Sequence, residues 1–277
     1  MARPQLEFVH AQQLPWQDQL LGRDVLVSHR GKRLSEDAAS GAMSALLQFP
    51  DATQLASQFA LGCDFEALVL EGGLQVAGHS LGLDDYTYLP AGCAWQGAQL
   101  LAGTVLLVFS SASARQAQAL ANLRPAICHT HEMPWTSAEI DPDVQFLQLS
   151  HKILRDDPER GEKTLLLATG AQTHPKGWSE AQLRHDCVEE MYLLGGDIIG
   201  ERGIMREGAY FWRPAGLWHG PFGSRRGSLS LIRMLGGRHR NEWSATKRRF
   251  WLSPAYDPVL PPELAHLAGA PWTPHPY

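Results

Sequence analysis

The sequence predicts an all-β protein that contains two copies of one domain. Three observations support this fold class. The 277 residues include 26 Gly and 18 Pro, spread along the chain in a way that favours many tight turns. Apolar blocks of strand length recur between those turns. Finally, four segments of the first half have counterparts in the second half.

The internal repeat gives the domain organisation. The paired segments are residues 9–17 and 128–136, 28–47 and 150–167, 63–76 and 187–200, and 85–95 and 209–219. All four pairs keep the same order and an offset of 119 to 124 residues, which indicates a duplicated domain. We therefore predict one domain at residues 1–124, a second at 125–240, and a separate tail at 241–277.

Local patterns predict the elements within this frame. Strands are predicted in the apolar or alternating blocks at residues 106–110, 164–170, 189–196 and 228–237. The Ala-rich segment 110–125 has helical spacing and should form a short helix that ends at Pro125. The Pro-rich tail should be irregular, with one or two helical turns at residues 262–268, and it could reach a neighbouring subunit.

Composition disfavours several classes of partner. A formal net charge of −5 gives no electrostatic reason to expect nucleic acid. No apolar run approaches the roughly 20 residues that cross a membrane. The first ten residues lack the layout of a signal peptide, so we expect a cytoplasmic protein. The four cysteines show no CxxC spacing and are expected to be reduced thiols.

Three side chains in the second copy are candidate metal ligands. His185 and Glu189 are four residues apart, and on one strand they would share a face with Cys187 and Met191. His219 follows a Gly- and Pro-containing turn that would return the chain to the same interior. Two imidazoles and one carboxylate suit Fe(II), and Zn(II) or Mn(II) also accept such ligands. The alternative is a buried polar cluster that holds no metal.

The same stretch resembles the two sequence motifs of the cupin superfamily. The matching residues are His185, Glu189 and Gly196 for the first motif, and Gly208, Pro214, Gly216 and His219 for the second. The combination EEMYLLGG and EGAYFWRPAGLWHGPF is similar to ChrR-like and acetylacetone-cleaving-dioxygenase-like cupins.

The resemblance carries expectations about fold and chemistry. It implies a small antiparallel β-barrel, a double-stranded β-helix or jelly roll, for each copy, and therefore a bicupin. It also implies that His185, Glu189 and His219 hold a divalent metal, with Fe(II) favoured, at the centre of the second barrel. Cupin barrels often pair, so a homodimer is a further expectation.

The sequence departs from the family pattern at one ligand position. Cupins usually place a histidine two residues before His185, where this chain has Leu183. The site would then use three ligands, unless His174 folds back to supply a fourth.

The first copy lacks all three ligands. The repeat offset aligns Leu61, Phe65 and Trp95 with the three candidate ligands of the second copy. None of these side chains binds metal, so the first barrel should be closed by apolar packing and serve a structural role.

These features together favour a metal-dependent enzyme that acts on a small organic substrate. The family resemblance implies dioxygenase-type cleavage. Substrate contacts are predicted from Cys187, Met191, Phe211 and Arg213, which lie beside the ligand positions. Two alternatives remain, a non-catalytic cupin that senses a ligand or metal in the manner of ChrR, and a structural bicupin that has lost its metal.

Overall fold

The described part of the chain is built almost entirely from β-strands. A computed structural model describes residues 3–21, 28–57, 59–111, 125–275 and 277. In these residues the only helices are short 3-10 segments, so the all-β prediction is confirmed. The helix predicted at 110–125 falls largely outside the described residues.

Twenty strands occur in the described residues. The first half contains β1 (Leu6–His10), β2 (Gln17–Asp18), β3 (Arg30–Glu36), β4 (Met43–Phe49), β5 (Thr53–Gln54), β6 (Phe65–Glu71), β7 (Leu74–Val76), β8 (His79–Leu81), β9 (Tyr86–Leu89), β10 (Gln99–Leu100), β11 (Thr104–Ser110) and β12 (Ala126–Cys128). The second half contains β13 (Ser150–Asp157), β14 (Glu162–Thr169), β15 (Ser179–His185), β16 (Val188–Gly200), β17 (Gly203–Arg206), β18 (Ala209–Arg213), β19 (Ser228–Leu235) and β20 (Asn241–Arg249). The 3-10 segments are Ala11–Gln13, Thr130–Glu132, Pro142–Leu147 and Pro262–Leu267.

The chain divides into two compact units that exchange equivalent strands. Unit 1 comprises Met1–Arg3 and Leu14–Met133, and unit 2 comprises Pro4–Gln13 and Pro134–Tyr277. Strand β1 therefore belongs to unit 2, where it pairs with β18. Strand β12, the repeat counterpart of β1, belongs to unit 1 and pairs with β9. Each unit therefore contains an edge strand whose residues come, in the sequence, just before the main part of the other unit.

Unit 1 consists of two sheets around an apolar core. One sheet has the strand order β12-β9-β6-β11-β4-β3-β2, and the other has the order β5-β10-β7-β8. Alternate residues along β4, namely Met43, Ala45, Leu47 and Phe49, all face this core. Ser44 and Leu46 on the other face are buried as well. The counterparts of the candidate ligands, Leu61, Phe65 and Trp95, lie in the same cluster, with Phe65 and Trp95 ring centroids 5.0 Å apart.

Unit 2 repeats the large sheet around a more polar interior. Its strand order is β1-β18-β16-β19-β14-β13, with β17 added to β16, and β15 pairs separately with β20. The predicted strands at 164–170, 189–196 and 228–237 correspond to β14, β16 and β19. The antiparallel order and the two units confirm the predicted pair of jelly-roll barrels.

A buried hydrogen bond is preserved between the two units. In unit 1 the hydroxyl of Tyr86 donates to Glu66 over 2.7 Å. In unit 2 the hydroxyl of Tyr210 donates to Glu190 over 2.6 Å. The two pairs are related by the repeat offset of 124 residues, so the duplication extends to individual side-chain contacts.

The C-terminal tail begins with a strand. Residues 241–249, predicted to be irregular, form β20 because their backbone pairs with β15, with Asn241 opposite His185. The predicted helical turns correspond to the 3-10 segment Pro262–Leu267. Within the described residues, no helix has the length and apolar character required to span a membrane.

His10 on the exchanged strand β1 is a buried titratable group. It packs between Phe8 and Tyr256, with ring centroids 5.4 and 6.2 Å away. Burial, with a smaller contribution from Arg206, lowers its pKa from 6.5 to about 4. The unfolded chain therefore takes up a proton at this position more readily than the folded one, and the free energy of unfolding should fall as the pH drops from about 6.5 to about 4.

We expect the His10→Phe variant to show a weaker dependence of stability on pH. Between pH 7 and pH 4, His10 is predicted to contribute about 3 kcal/mol to the decrease in the free energy of unfolding, from the size of its pKa shift. Urea unfolding at several pH values measures this slope. An unchanged slope in the variant would show that His10 does not contribute.

Candidate metal centre

The three candidate ligands lie on three different elements of unit 2. His185 is the last residue of β15, and Glu189 is the second residue of β16. His219 lies in the segment between β18 and β19. A bend at Asp186 and Cys187 separates the first two elements. The expectation that His185 and Glu189 share one strand was therefore wrong, although the bend still brings them together.

Backbone pairing places the two histidines side by side. Leu183 and His219 exchange two backbone hydrogen bonds, of 3.0 and 2.9 Å. The N–H of Gly216 donates to the carbonyl of His185 over 2.8 Å. Leu183, which occupies the position of a usual family ligand, contributes backbone pairing, and its side chain packs with Val144 and Leu147.

The donor atoms of the three side chains face a common point. Nε2 of His185 lies 3.9 Å from Oε1 of Glu189, and Nε2 of His219 lies 3.7 Å from Oε2. One ligand atom from each residue lies within 4.8 Å of the other two. Both distances exceed a hydrogen bond, and they approach the separation of about 3 to 3.5 Å between donors that share one ion. The three residues are thus a candidate metal-binding group.

A backbone contact orients His219 for ligation. Its Nδ1 lies 2.8 Å from the carbonyl oxygen of Leu217, an acceptor, so Nδ1 carries the proton and donates. Nε2 is then the nitrogen with a free lone pair, and it points toward Glu189. A hydrogen bond from the ring nitrogen that does not bind metal is the usual means by which proteins set the tautomer of a ligating histidine.

Glu189 ends a buried chain of charges across three adjacent strands. Arg213 on β18 is directly opposite Glu189 on β16, and its NH1 donates to Oε2 over 2.8 Å. Nε of the same arginine donates to both oxygens of Glu7 on β1, over 2.6 and 2.9 Å. All three side chains are nearly fully buried. Arg213 thus holds Oε2, while Oε1 faces His185.

The electrostatics of the site favour the protonation states that bind metal. Burial opposes ionisation of Glu189, but Arg213 and the nearby imidazoles outweigh it and lower the pKa to about 2. Burial and Arg213 lower the pKa of His219 to about 3. At neutral pH the site therefore contains an ionised carboxylate and a neutral imidazole, the forms that coordinate metals.

The residues present fit a divalent cation. The Glu7–Arg213–Glu189 chain carries two negative charges and one positive charge, which leaves an uncompensated carboxylate in a buried site. Nε2 of His185 faces the same carboxylate, 3.9 Å from Oε1 of Glu189. A cation bound between His185, Glu189 and His219 would balance that charge and engage the imidazole.

The candidate ligands line a deep cavity of about 610 Å³ within unit 2. Met191, Phe211 and Arg213, three of the predicted substrate contacts, also line it. Cys187, the fourth, is buried in the apolar cluster that contains Met191 and Phe211 and is not among the lining residues. Burial, followed by the charge of Glu189, raises the pKa of the Cys187 thiol to about 12.

His174 does not reach the ligand group. Its ring stacks on Trp178, with centroids 3.9 Å apart and planes at 7°. Phe146 and Phe250 surround the same pair. His174 is therefore part of an aromatic cluster and does not supply the fourth ligand.

Two residues at the site were missed by sequence reasoning. His239 follows β19 and lines the cavity, and its ring centroid lies 4.2 Å from that of His185. Its loop approaches closely because Gly237 has no side chain: a Cβ there would lie 2.6 Å from the carbonyl oxygen of Asp186. Glu7 is the second, and it lies 206 residues from Arg213. No sequence pattern marks either residue as part of the site, apart from the Gly-Gly pair before His239.

Unit 1 has no equivalent centre among its described residues. The only group of three potential ligands found over the described ranges is that of unit 2. Leu61, Phe65 and Trp95 fill the corresponding interior with apolar side chains.

The second half of the chain matches a known domain family. The family model of the ChrR cupin-like domain matches residues 123–236, which include all three candidate ligands. No functionally curated protein matches this sequence significantly.

Solved structures share the two-unit fold. A protein from Nostoc punctiforme PCC 73102, provisionally assigned as a dioxygenase, superposes with a TM-score of 0.71 at 20% identity, covering 90% of this chain and 92% of its own. Oxalate decarboxylase from Lactobacillus farciminis gives 0.52 at 11% identity, covering 86% and 88%. Protein YlbA from E. coli gives 0.54 at 12% identity, covering 85% and 92%. At these identities the likeness establishes the fold.

We expect the Arg213→Gln variant to be strongly destabilised. Removing the guanidinium leaves Glu7 and Glu189 as buried carboxylates without their cation, which should cost about 3 kcal/mol or more. Urea unfolding of metal-free protein measures this loss. The matched control is Arg202→Gln, which breaks an exposed pair with Asp257 and should cost less than about 1 kcal/mol. Equal losses in the two variants would contradict the role of the buried chain.

Proposed function

Because the second half of this chain is a ChrR cupin-like domain on a bicupin fold, we propose that it is a metal-dependent enzyme for a small organic substrate. Dioxygenase-type cleavage is the proposed reaction. The observation that carries this proposal is the convergence of His185, Glu189 and His219 at the wall of a large apolar cavity. A structural barrel has no need for three buried donors aimed at one point.

The proposed cofactor is one divalent ion held by His185, Glu189 and His219. Two imidazoles and one carboxylate with open positions suit Fe(II), the favoured metal, and Zn(II) or Mn(II) also accept them. When bound, the ion would act as a Lewis acid toward substrate oxygen atoms and, as Fe(II), would supply the redox chemistry that O2 requires.

The protein's own groups prepare the site for that ion. Arg213 keeps Glu189 ionised and holds one of its oxygens. Leu217 fixes the tautomer of His219 through Nδ1. Such contacts orient the ligands before the ion binds, which reduces the reorganisation that binding costs.

The cavity wall would orient the substrate and exclude water. Phe211 lies beneath the guanidinium of Arg213, whose central carbon is 3.6 Å from the ring centroid. Met191, Ile232 and Met234 extend this apolar surface. Substrate held against such a wall meets the ion at one end while its body displaces water.

A non-catalytic sensor is the second candidate function, and the family match favours it. The matched family model is named for ChrR, and a ligand or metal in this cavity would then control association with another protein. The two candidates share the metal site and differ in turnover. A structural bicupin without metal is the third possibility.

We expect purified protein to bind about one equivalent of Fe(II), Zn(II) or Mn(II), and the His219→Ala and Glu189→Gln variants to lose it. Elemental analysis after metal loading and gel filtration measures the stoichiometry. The matched control is His174→Ala, because that histidine stacks on Trp178 away from the ligand group. If no metal binds, or if His219→Ala retains it fully, the proposed function is wrong.

Oxygen consumption separates the enzyme from the sensor. We expect Fe(II)-loaded protein to consume O2 when supplied with a member of a panel of β-dicarbonyl compounds and small aromatic acids, and His185→Ala to lose at least about tenfold in rate. An electrode records the rate, and Zn(II)-loaded protein is the control because Zn(II) has no redox chemistry. Stoichiometric Fe(II) without any oxygen consumption over the panel would favour the sensor.

A further inference from the structure

We propose that the cavity of unit 2 is built for a neutral molecule with a long apolar body and oxygen atoms at one end only. This inference rests on the proposed metal site, because the oxygen atoms would meet the ion held by His185, Glu189 and His219. It goes further by naming the chemical class of the ligand and by excluding small dianions.

The first observation is the division of the cavity into a polar end and an apolar body. Fifteen of its 34 lining residues are aliphatic, aromatic or Met side chains. They come from β13, β14, β16, β18 and β19 and from the segments around them, and Ile153, Leu165, Leu167 and Ile232 are representative. The strand registers place Glu189 in one row with Arg213, Met234 and Lys163, and the row two residues further along is apolar, with Phe211, Met191, Ile232 and Leu165. A wholly polar ligand would leave most of the wall in contact with water.

The second observation is the charge around the cavity. Its lining includes six carboxylates, on Glu139, Asp141, Asp156, Asp157, Glu162 and Glu189, against three cationic side chains, on Lys163, Arg213 and Arg238. The net formal charge of the lining is therefore −3 with neutral histidines. Arg155 and Arg160 pair with these carboxylates and Glu7 pairs with Arg213, which brings the net charge to −2. This charge attracts a divalent cation, and it leaves no net attraction for an anion once the cation is bound.

The third observation is that the buried cation at the site is already paired. Arg213 is fully engaged by Glu7 and Glu189. Lys163 lies 3.0 Å from Asp156 and is partly exposed. Arg238 is exposed to solvent. A second carboxylate on a ligand would therefore enter the apolar body without a dedicated partner, at the cost of an unpaired buried charge.

The size of the cavity agrees with an extended ligand. Its volume of about 610 Å³ lies within the range of about 300 to 1,000 Å³ that encloses drug-sized molecules. A two-carbon ligand at the ion would leave most of that space unfilled.

Alkyl hydroxamic acids test the inference, because they are neutral in solution near pH 7 and chelate metals through two oxygen atoms with release of one proton. We expect the dissociation constant for Zn(II)-loaded protein to fall roughly fourfold per added methylene, from acetohydroxamate to octanohydroxamate, or about four thousandfold over the six methylenes of the series. Oxalate should bind more weakly than octanohydroxamate, because it cannot contact the apolar wall. Calorimetry measures the affinities, and elemental analysis after titration checks that the zinc is retained.

Two variants on one strand provide the matched comparison. Leu167→Gln places a polar group on the cavity wall and should reduce the gain per methylene, whereas Ala168→Gln alters the next residue, which does not line the cavity, and should leave it unchanged. Circular dichroism checks that both variants fold. Affinities that are flat along the series, or oxalate binding tighter than octanohydroxamate, would overturn the inference.

The same titrations on metal-free protein separate this inference from the proposed function. Removing zinc should weaken every hydroxamate but retain the gain per methylene, since the apolar wall does not depend on the ion. If the affinity still rises with each methylene but is the same with and without zinc, only the proposed metal site is wrong. If zinc strongly increases the affinity but added methylenes do not, only the inference about the ligand is wrong.

Discussion

The architecture of unit 2 depends on keeping one carboxylate ionised inside an apolar barrel. Glu189 stays charged because Arg213 is opposite it on the next strand, and Arg213 in turn needs Glu7 on the strand after that. Removing Arg213 leaves two buried carboxylates without a cation, which proteins tolerate poorly. The exchanged strand β1 therefore contributes electrostatics as well as an edge to the sheet. The N-terminal segment and the candidate ligands form one energetic unit.

Comparison of the two units separates what the fold needs from what the site needs. The large sheets have equivalent strands in the same order, and both units contain the same buried tyrosine–glutamate hydrogen bond. In unit 1, Leu61, Phe65 and Trp95 occupy the interior and make an apolar core. The barrel therefore forms without polar ligands. In unit 2 the same space holds two imidazoles, a carboxylate and a cavity, a costly arrangement that Arg213 offsets in part.

Sequence motifs located the candidate ligands but described their geometry only in part. His185, Glu189 and His219 were identified from spacing and type, and the structure brings their donor atoms together. Strand periodicity wrongly placed His185 and Glu189 on one strand, because a bend at Asp186 and Cys187 starts a new strand. Periodicity detects which residues share a face within one element, and it has no means of detecting a change of direction between two short elements. His174 shows the converse case, since its aromatic environment becomes visible only in three dimensions.

The sequence by itself determined the all-β class, the duplication and the choice of the second copy as the polar one. Each of these follows from local composition or from comparison of two segments, which need no knowledge of distant contacts. Only the tertiary structure decided that Glu7 completes the charge chain and that His239 lies against His185. Both contacts arise from strand order and register, which join residues as far as 206 positions apart. A side chain's partner across a sheet depends on which strand is placed next to it, and that placement is a property of the whole fold.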